Sequence, residues 1–289
     1  MTVVDAHHHF WDPARAAYPW MTEAHAPIRR RFGPEDLAPL LAANGVDRTI
    51  VVQTRSSVDE TRELLATAAG HDFIAGVVGW IELGAPDVAE QLASLRAAPG
   101  GAKLVGIRHQ VHDEADPEWL GRTDVRRGLA AVGRAGLVYE LLVRTRELPA
   151  ARATVRDLPG VRFVVDHIAK PPIASGAIDA WSAALKPLAG YPNVSSKLSG
   201  MVTEADWASW TPRDLAPYVE RVLDWFGPGR CVFGSDWPVC LLAAPYAQVV
   251  ELSRELLRDL PAADRDRIFG ANAIELYRLP VPANAQRRS

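Results

Sequence analysis

Eight short apolar runs, each followed by a stretch of helical periodicity, predict an α/β chain that closes as a single (β/α)8 TIM barrel with an extra C-terminal helix. The strand runs are nearly continuous in apolar residues, as expected for strands of a parallel sheet buried on both faces. A doubly wound open sheet calls for a glycine-rich phosphate turn after the first strand, and none is present; no nucleotide cofactor is therefore expected. At 289 residues the chain fits one barrel, which commonly needs about 250. The barrel is expected over residues 1–279 and a polar, mobile tail over 280–289.

Taken in order, the first strand is read at 3–9, where two valines precede a histidine run. A long loop carrying Trp11, Tyr18, Trp20 and Met21 leads to a helix at 34–44, opened by Pro34 and closed by Gly45. Strand two (48–54) precedes a helix at 58–69, strand three (73–82) one at 86–97, and strand four (104–111) one at 124–135. Strand five (137–143) is followed by a helix at 149–157, strand six (161–167) by one at 177–189, and strand seven (193–198) by one at 212–226. Strand eight (230–234) leads to a helix at 246–260, and a further helix at 263–277 ends the ordered pattern.

Composition narrows the function. An apolar fraction of 48% and a charged fraction of 23% are those of an ordinary globular protein. A net charge of −3 provides no basic face for nucleic acid or an anionic membrane. No apolar run approaches the roughly 18 residues of a membrane span, and no basic segment precedes an apolar one near the N-terminus. A cytoplasmic protein acting on a small molecule is expected. The two cysteines, Cys231 and Cys240, fit a reduced compartment and no zinc motif. A homodimer is the prior for barrels of this kind.

Barrels of this class carry their chemistry at the C-terminal ends of the strands. Period-two alternation places Asp5, His7 and His9 on one face of the first strand, with Ala6 and His8 on the other. Two imidazoles about 7 Å apart can converge on a metal ion, a water or a carbonyl; a solvated strand end is the alternative. The other strand ends supply Gln53, Trp80, Glu82, Arg108, His109, Glu140, Asp166, His167, Lys197 and Asp236. Ionisable groups are rare on buried strands unless paired or functional. Asp236, between Gly234 and Pro238, suits a metal ligand or general base, or else a helix N-cap. His167 can orient water or polarise a carbonyl, or sit hydrogen-bonded in the core. Arg108 and Lys197 suit a substrate oxyanion or carboxylate, or an ion pair with Glu140 or Glu82. Only one of Arg108 and His109 can face the lumen. His25, His71 and His112 read as surface residues.

The segments from Asp5 to Pro13, Gly106 to His109, Asp166 to Pro171, Lys197 to Trp207 and Phe233 to Cys240 resemble, in the same order, motifs of the amidohydrolase superfamily. The likeness is closest to its branch of amidohydrolase-related lactonases, which includes 2-pyrone-4,6-dicarboxylate lactonase-like and L-fuconolactonase-like members, and to the latter above all. It implies hydrolysis of a lactone at the barrel mouth by His7, His9, His167 and Asp236. Metal-rich members supply a lysine from strand four or a histidine from strand five, where this chain has Arg108 and Glu140, so a binuclear site is not expected. One zinc on His7, His9 and Asp236, with or without Glu140, and a metal-free site both stay open. In the expected mechanism Asp236 takes a proton from water and later gives it to the leaving ring oxygen. His7 and His9 polarise the carbonyl, and His167 positions the water or the carbonyl. Arg108, Lys197 and Glu140 contact substrate, while Trp11, Trp20 and Trp237 wall the pocket. A sugar lactone, an L-fucono- or related aldonolactone, is the expected substrate. A lactone from aromatic degradation, a decarboxylase of the same superfamily and a non-catalytic acid-binding barrel are the alternatives.

Overall fold

The computed structural model describes residues 2–280; the expected tail, Pro280 excepted, lies outside them. Eight strands, β1 (Val4–His8), β2 (Arg48–Val52), β3 (Ile74–Gly79), β4 (Leu104–His109), β5 (Val138–Leu141), β6 (Arg162–Val165), β7 (Val194–Leu198) and β8 (Cys231–Phe233), pair in parallel in sequence order. The cylinder closes just past β8: the Asp236 N–H donates to the His7 carbonyl (2.8 Å) and the His9 N–H to the Trp237 carbonyl (2.7 Å). Closure therefore occurs at the rim where the polar residues gather.

The helices α1 (Pro34–Asn44), α2 (Val58–Ala69), α3 (Val88–Ala97), α4 (Thr123–Arg134), α5 (Leu148–Asp157), α6 (Asp179–Leu185), α7 (Met201–Glu204), α8 (Pro212–Phe226), α9 (Tyr246–Leu256), α10 (Ala262–Asp266) and α11 (Asn272–Tyr277) surround the barrel. α1 starts at Pro34 and stops at Gly45, whose φ of 66° is the left-handed cap glycine favours. The helix expected at 263–277 is interrupted by a π-helical turn over Arg267–Ala271. The short helix α7 was not expected; four residues are too few for periodicity to reveal.

Two apolar layers hold the barrel. Outside the strands, leucine, isoleucine and aromatic residues pack beneath the helices. Inside, Val4, Ala6, Ile50, Val52, Val138, Val164 and Val232 fill the lumen, with Tyr277 and Leu279 rising from below. α11 thus lies across the N-terminal mouth, where Arg162, at the start of β6, bonds the Leu276 carbonyl.

Strand one departs from strict alternation. Its register slips between Asp5 and His8, so Ala6 and His7 both turn toward the lumen. Asp5 is consequently displaced from the face it was expected to share with His7 and His9. It lies on the helix side, accepting hydrogen bonds from the Ser235 N–H (2.8 Å) and the Tyr246 hydroxyl (3.1 Å).

Candidate active site

The rim of the barrel opens into a cavity of about 720 Å³, a size typical of small-molecule sites. Its floor includes His9, Arg108, His167 and Asp236, all at most 4% exposed. Three ligand atoms converge there. The Nε2 atoms of His7 and His9 lie 3.2 Å apart, and Asp236 Oδ1 lies 3.8 and 3.3 Å from them. His9 Nδ1 sits 2.8 Å from the Val52 carbonyl, so its proton is drawn there and Nε2 presents a lone pair. His7 Nδ1 faces Asp166 Oδ1 at 3.6 Å and Lys197 Nζ at 3.1 Å. His167 Nε2 approaches Asp236 Oδ1 at 4.0 Å, while its Nδ1 meets Ser199 Oγ at 2.9 Å.

Backbone geometry makes this crowding possible. Asp236 has a φ of 58°, and the four residues His167 to Lys170 all have left-handed φ values between 47° and 61°. Such a run in non-glycine residues costs on the order of 1 kcal/mol or more each. It is held by the Trp181 Nε1–H donating to the Ile168 carbonyl (2.7 Å). Two glycines admit the imidazoles. A Cβ on Gly200 would fall on the His167 ring, and one on Gly234 would lie 2.6 Å from His7 Cβ.

Electrostatics assigns protonation states. Burial lowers His7 well below the ordinary histidine value and takes His167 down to about 4. Burial opposes ionisation of Asp236, but His167 and His9 outweigh it and leave the carboxyl below its usual value. At neutral pH the site presents an ionised carboxylate against a neutral His7 and His167.

Beneath this triad lies a second charged layer. Lys197 and Glu140 are fully buried and 2.6 Å apart, and Lys197 also meets Asp166 Oδ1 at 3.0 Å. Arg108 pairs with Asp166 at 3.2 Å and is braced by the Gln53 carbonyl. Against the cost of burial, Lys197, His7 and Arg108 hold Asp166 well below the carboxylate range. Burial and Asp166 push Glu140 up to about 7.

Several expected positions need correction. Glu140 does not line the cavity or group with the ligand atoms of His7, His9 and Asp236; its Oε1 meets Lys197 and the Tyr277 hydroxyl (2.5 Å). Lys197 points down into that pair and does not line the cavity. Trp11 and Trp237 are 4% and 1% exposed and stand behind the wall. Trp11 stacks at the back of His9 and bonds the Ile28 carbonyl, and Trp237 packs edge-on against Phe10 and Phe32. Trp20 does line the cavity, and so do His25 and His112, which stand half-buried at its mouth. His109 turns outward onto Trp119, 4.2 Å between ring centres, leaving Arg108 to the lumen. Glu82 is exposed and makes no ion pair with either cation. Lys170, Glu204, Arg144 and Trp207 line the mouth without having been singled out, although the first, second and fourth fall inside segments that carried the resemblance.

The donor set accepts a metal ion. His7, His9 and Asp236 offer three ligand atoms within 4.8 Å of one another, close to the roughly 3.4 Å separations of a tetrahedral zinc site. With His9 Nδ1 bonded to a carbonyl and Asp236 ionised, acceptors face acceptors across 3.3 Å, an arrangement that calls for a cation or a proton between them. The lower layer already holds two cations, Arg108 and Lys197.

Comparison with known proteins agrees with this architecture. Residues 4–279 match the family model described as amidohydrolase. L-fucono-1,5-lactonase of Burkholderia ambifaria is 42% identical over 287 residues, covering 98% of each chain. L-fucono-1,5-lactonase of Burkholderia multivorans is 41% identical over 294 residues with the same coverage. A crystal structure of an amidohydrolase from Burkholderia multivorans with bound zinc superposes with a TM-score of 0.92 at 40% identity, covering 97% of this chain and all of that one. Barrel, polar rim and sequence agree: the chain belongs to the amidohydrolase family.

Proposed function

We propose that this chain is a lactonase that opens a small sugar lactone. The observation that carries the reading is the convergence of an ionised Asp236 with two histidine Nε2 atoms on the floor of a walled cavity. The naming of two relatives, at 41% and 42% identity, as L-fucono-1,5-lactonases supports the substrate class.

Hydrolysis needs an activated water, an electrophile on the carbonyl and an acid for the leaving alcohol. Asp236, held ionised, accepts the proton of the attacking water and returns it to the ring oxygen as the C–O bond breaks. His167, neutral with Nε2 4.0 Å from that carboxylate, holds the water against it. Arg108, rigid between Asp166 and Gln53, faces the developing oxyanion with a guanidinium that needs no reorganisation. Trp20 supplies an apolar face for the sugar ring. We assign His7, His9 and Asp236 to one divalent ion, zinc on the strength of two nitrogen donors and a carboxylate; when bound, it would polarise the carbonyl and acidify water. Cys231 and Cys240, buried and free, suit a reduced cytoplasmic setting; no helix among the described residues is long and apolar enough to cross a membrane.

An indicator assay with L-fucono-1,5-lactone and related aldonolactones tests the reading. Acid release that saturates with substrate is expected, and carbon dioxide release from aromatic acids without any lactone opening would replace it with a lyase. Metal analysis of the purified protein, beside a His9→Ala variant that loses the ion, tests the metal assignment.

A further inference from the structure

The mouth of the cavity carries an ion trio that the reaction does not use. Glu204, at the end of α7, is gripped by two cations: Lys170 Nζ contacts Oε1, and Arg144 Nη1 lies 3.3 Å from Oε2. The Lys170 and Glu204 side chains are only 15% and 11% exposed, and all three residues line the cavity. Their positions are fixed from behind. Lys170 ends the left-handed run that begins at His167, and the Arg144 N–H donates to Glu147 (2.8 Å).

This trio sets the charge the cavity offers a ligand. The lining cations are Arg108, Arg144 and Lys170, and the lining carboxylates are Asp113, Glu204 and Asp236, three of each. A pocket meant for a carboxylated lactone would leave Lys170 and Arg144 free to receive the anion. Here Glu204 bridges both and offsets one of their two charges, and it keeps unused lone pairs for substrate hydroxyls. Building on the lactonase reading, we propose that Glu204 is a specificity-determining residue: it occupies Lys170 and Arg144, admits neutral polyhydroxylated lactones, disfavours lactones bearing a carboxylate, and hastens departure of the acid product. Ring opening creates a carboxylate inside the cavity, and the fixed charge of Glu204 repels it.

The test compares kcat/KM for neutral L-fucono-1,5-lactone and for a D-glucarolactone with a free carboxylate, together with inhibition by L-fuconate. In Glu204→Gln the anionic-to-neutral ratio is expected to rise about tenfold or more, and fuconate to inhibit more tightly by a similar factor. Lys170→Gln, with Glu204 retained, is expected to move both readouts the other way, and it serves as the test if Glu204→Gln does not fold. A merely structural role for Glu204 lowers turnover of both lactones by a common factor; a ratio within twofold of wild type and an unchanged fuconate inhibition constant overturn the inference while leaving the lactonase reading intact. A wild-type enzyme that opens neither lactone overturns both.

Discussion

Two clusters of buried charge lie one above the other in this barrel, built from similar residue types and differently completed. In the lower one, Lys197, Glu140, Asp166 and Arg108 alternate in sign, each cation meeting a carboxylate within 3.2 Å. In the upper one, His7, His9 and Asp236 bring lone pairs together, and only a proton, an ion or the neighbouring Arg108 can sit among them. The lower cluster is sealed by Tyr277 from below and reaches the cavity through Arg108, whereas the upper one opens to it directly through His9 and Asp236. The lower set acts as a rigid, charged base plate for the upper, which is left wanting a partner. Buried pairs of the first sort give little net stability but are costly to break; groups of the second sort are where chemistry is done.

This contrast predicts opposite responses to mutation. Asp236→Asn is expected to lower kcat by about 10³-fold or more with little change in Tm, as for loss of a general base. Turnover near wild type in that variant removes Asp236 from the reaction. Lys197→Met is expected to cost about 3–5 kcal/mol of stability, since it leaves Glu140 in the interior with only the Tyr277 hydroxyl and takes away one of the two cations on Asp166. Denaturant unfolding measures this, and adding Glu140→Gln should recover part of the loss. A fully stable Lys197→Met protein would show that the base plate is not a paired network.

Acid should weaken the fold more gently. Burial takes His8 to about 3 and His167 to about 4 in the folded protein, against an ordinary value of 6.5. The unfolded chain therefore binds more protons between about pH 6.5 and pH 4, and stability falls as pH drops through that window. Each such histidine contributes on the order of 1.4 kcal/mol per pH unit. Thermal denaturation against pH should show the slope, and His8→Gln should reduce it by one proton's worth; an unchanged slope would return His8 to an ordinary titration. The smallest effect is expected for Tyr277→Phe, which removes only the hydroxyl bonded to Glu140: about 1–2 kcal/mol in stability, with turnover within about twofold.

The barrel was legible because its signal repeats eight times, and an error of two residues at a strand end leaves the count intact. The rim residues His7, His9, Arg108, His167 and Asp236 were legible because polar groups stand out among valines and isoleucines. What periodicity does not contain is where it lapses. The slip after Asp5 turns consecutive residues inward, and nothing in the string of three histidines marks it. Depth along the lumen was equally hidden: Glu140 and Lys197 look like rim residues from their strands, yet they pair with each other and do not line the cavity. His112 and His25 lie outside the strands, on short helical turns whose path across the mouth depends on tertiary packing. Trp11 and Trp237 offer the flat apolar faces expected of walls for a sugar ring; the same size makes them backing for His9 and for the aromatic core.

The Tyr277 hydroxyl comes from the final turn of the last helix, yet it completes a charge network whose other members were laid down by residue 197. A nascent chain leaving the ribosome would hold all of its rim residues by Asp236 and still lack the helix that seals the barrel beneath them. Maturation of the pocket is thereby tied to synthesis through α11, and a nick ahead of α11 should silence the enzyme although no rim residue is lost.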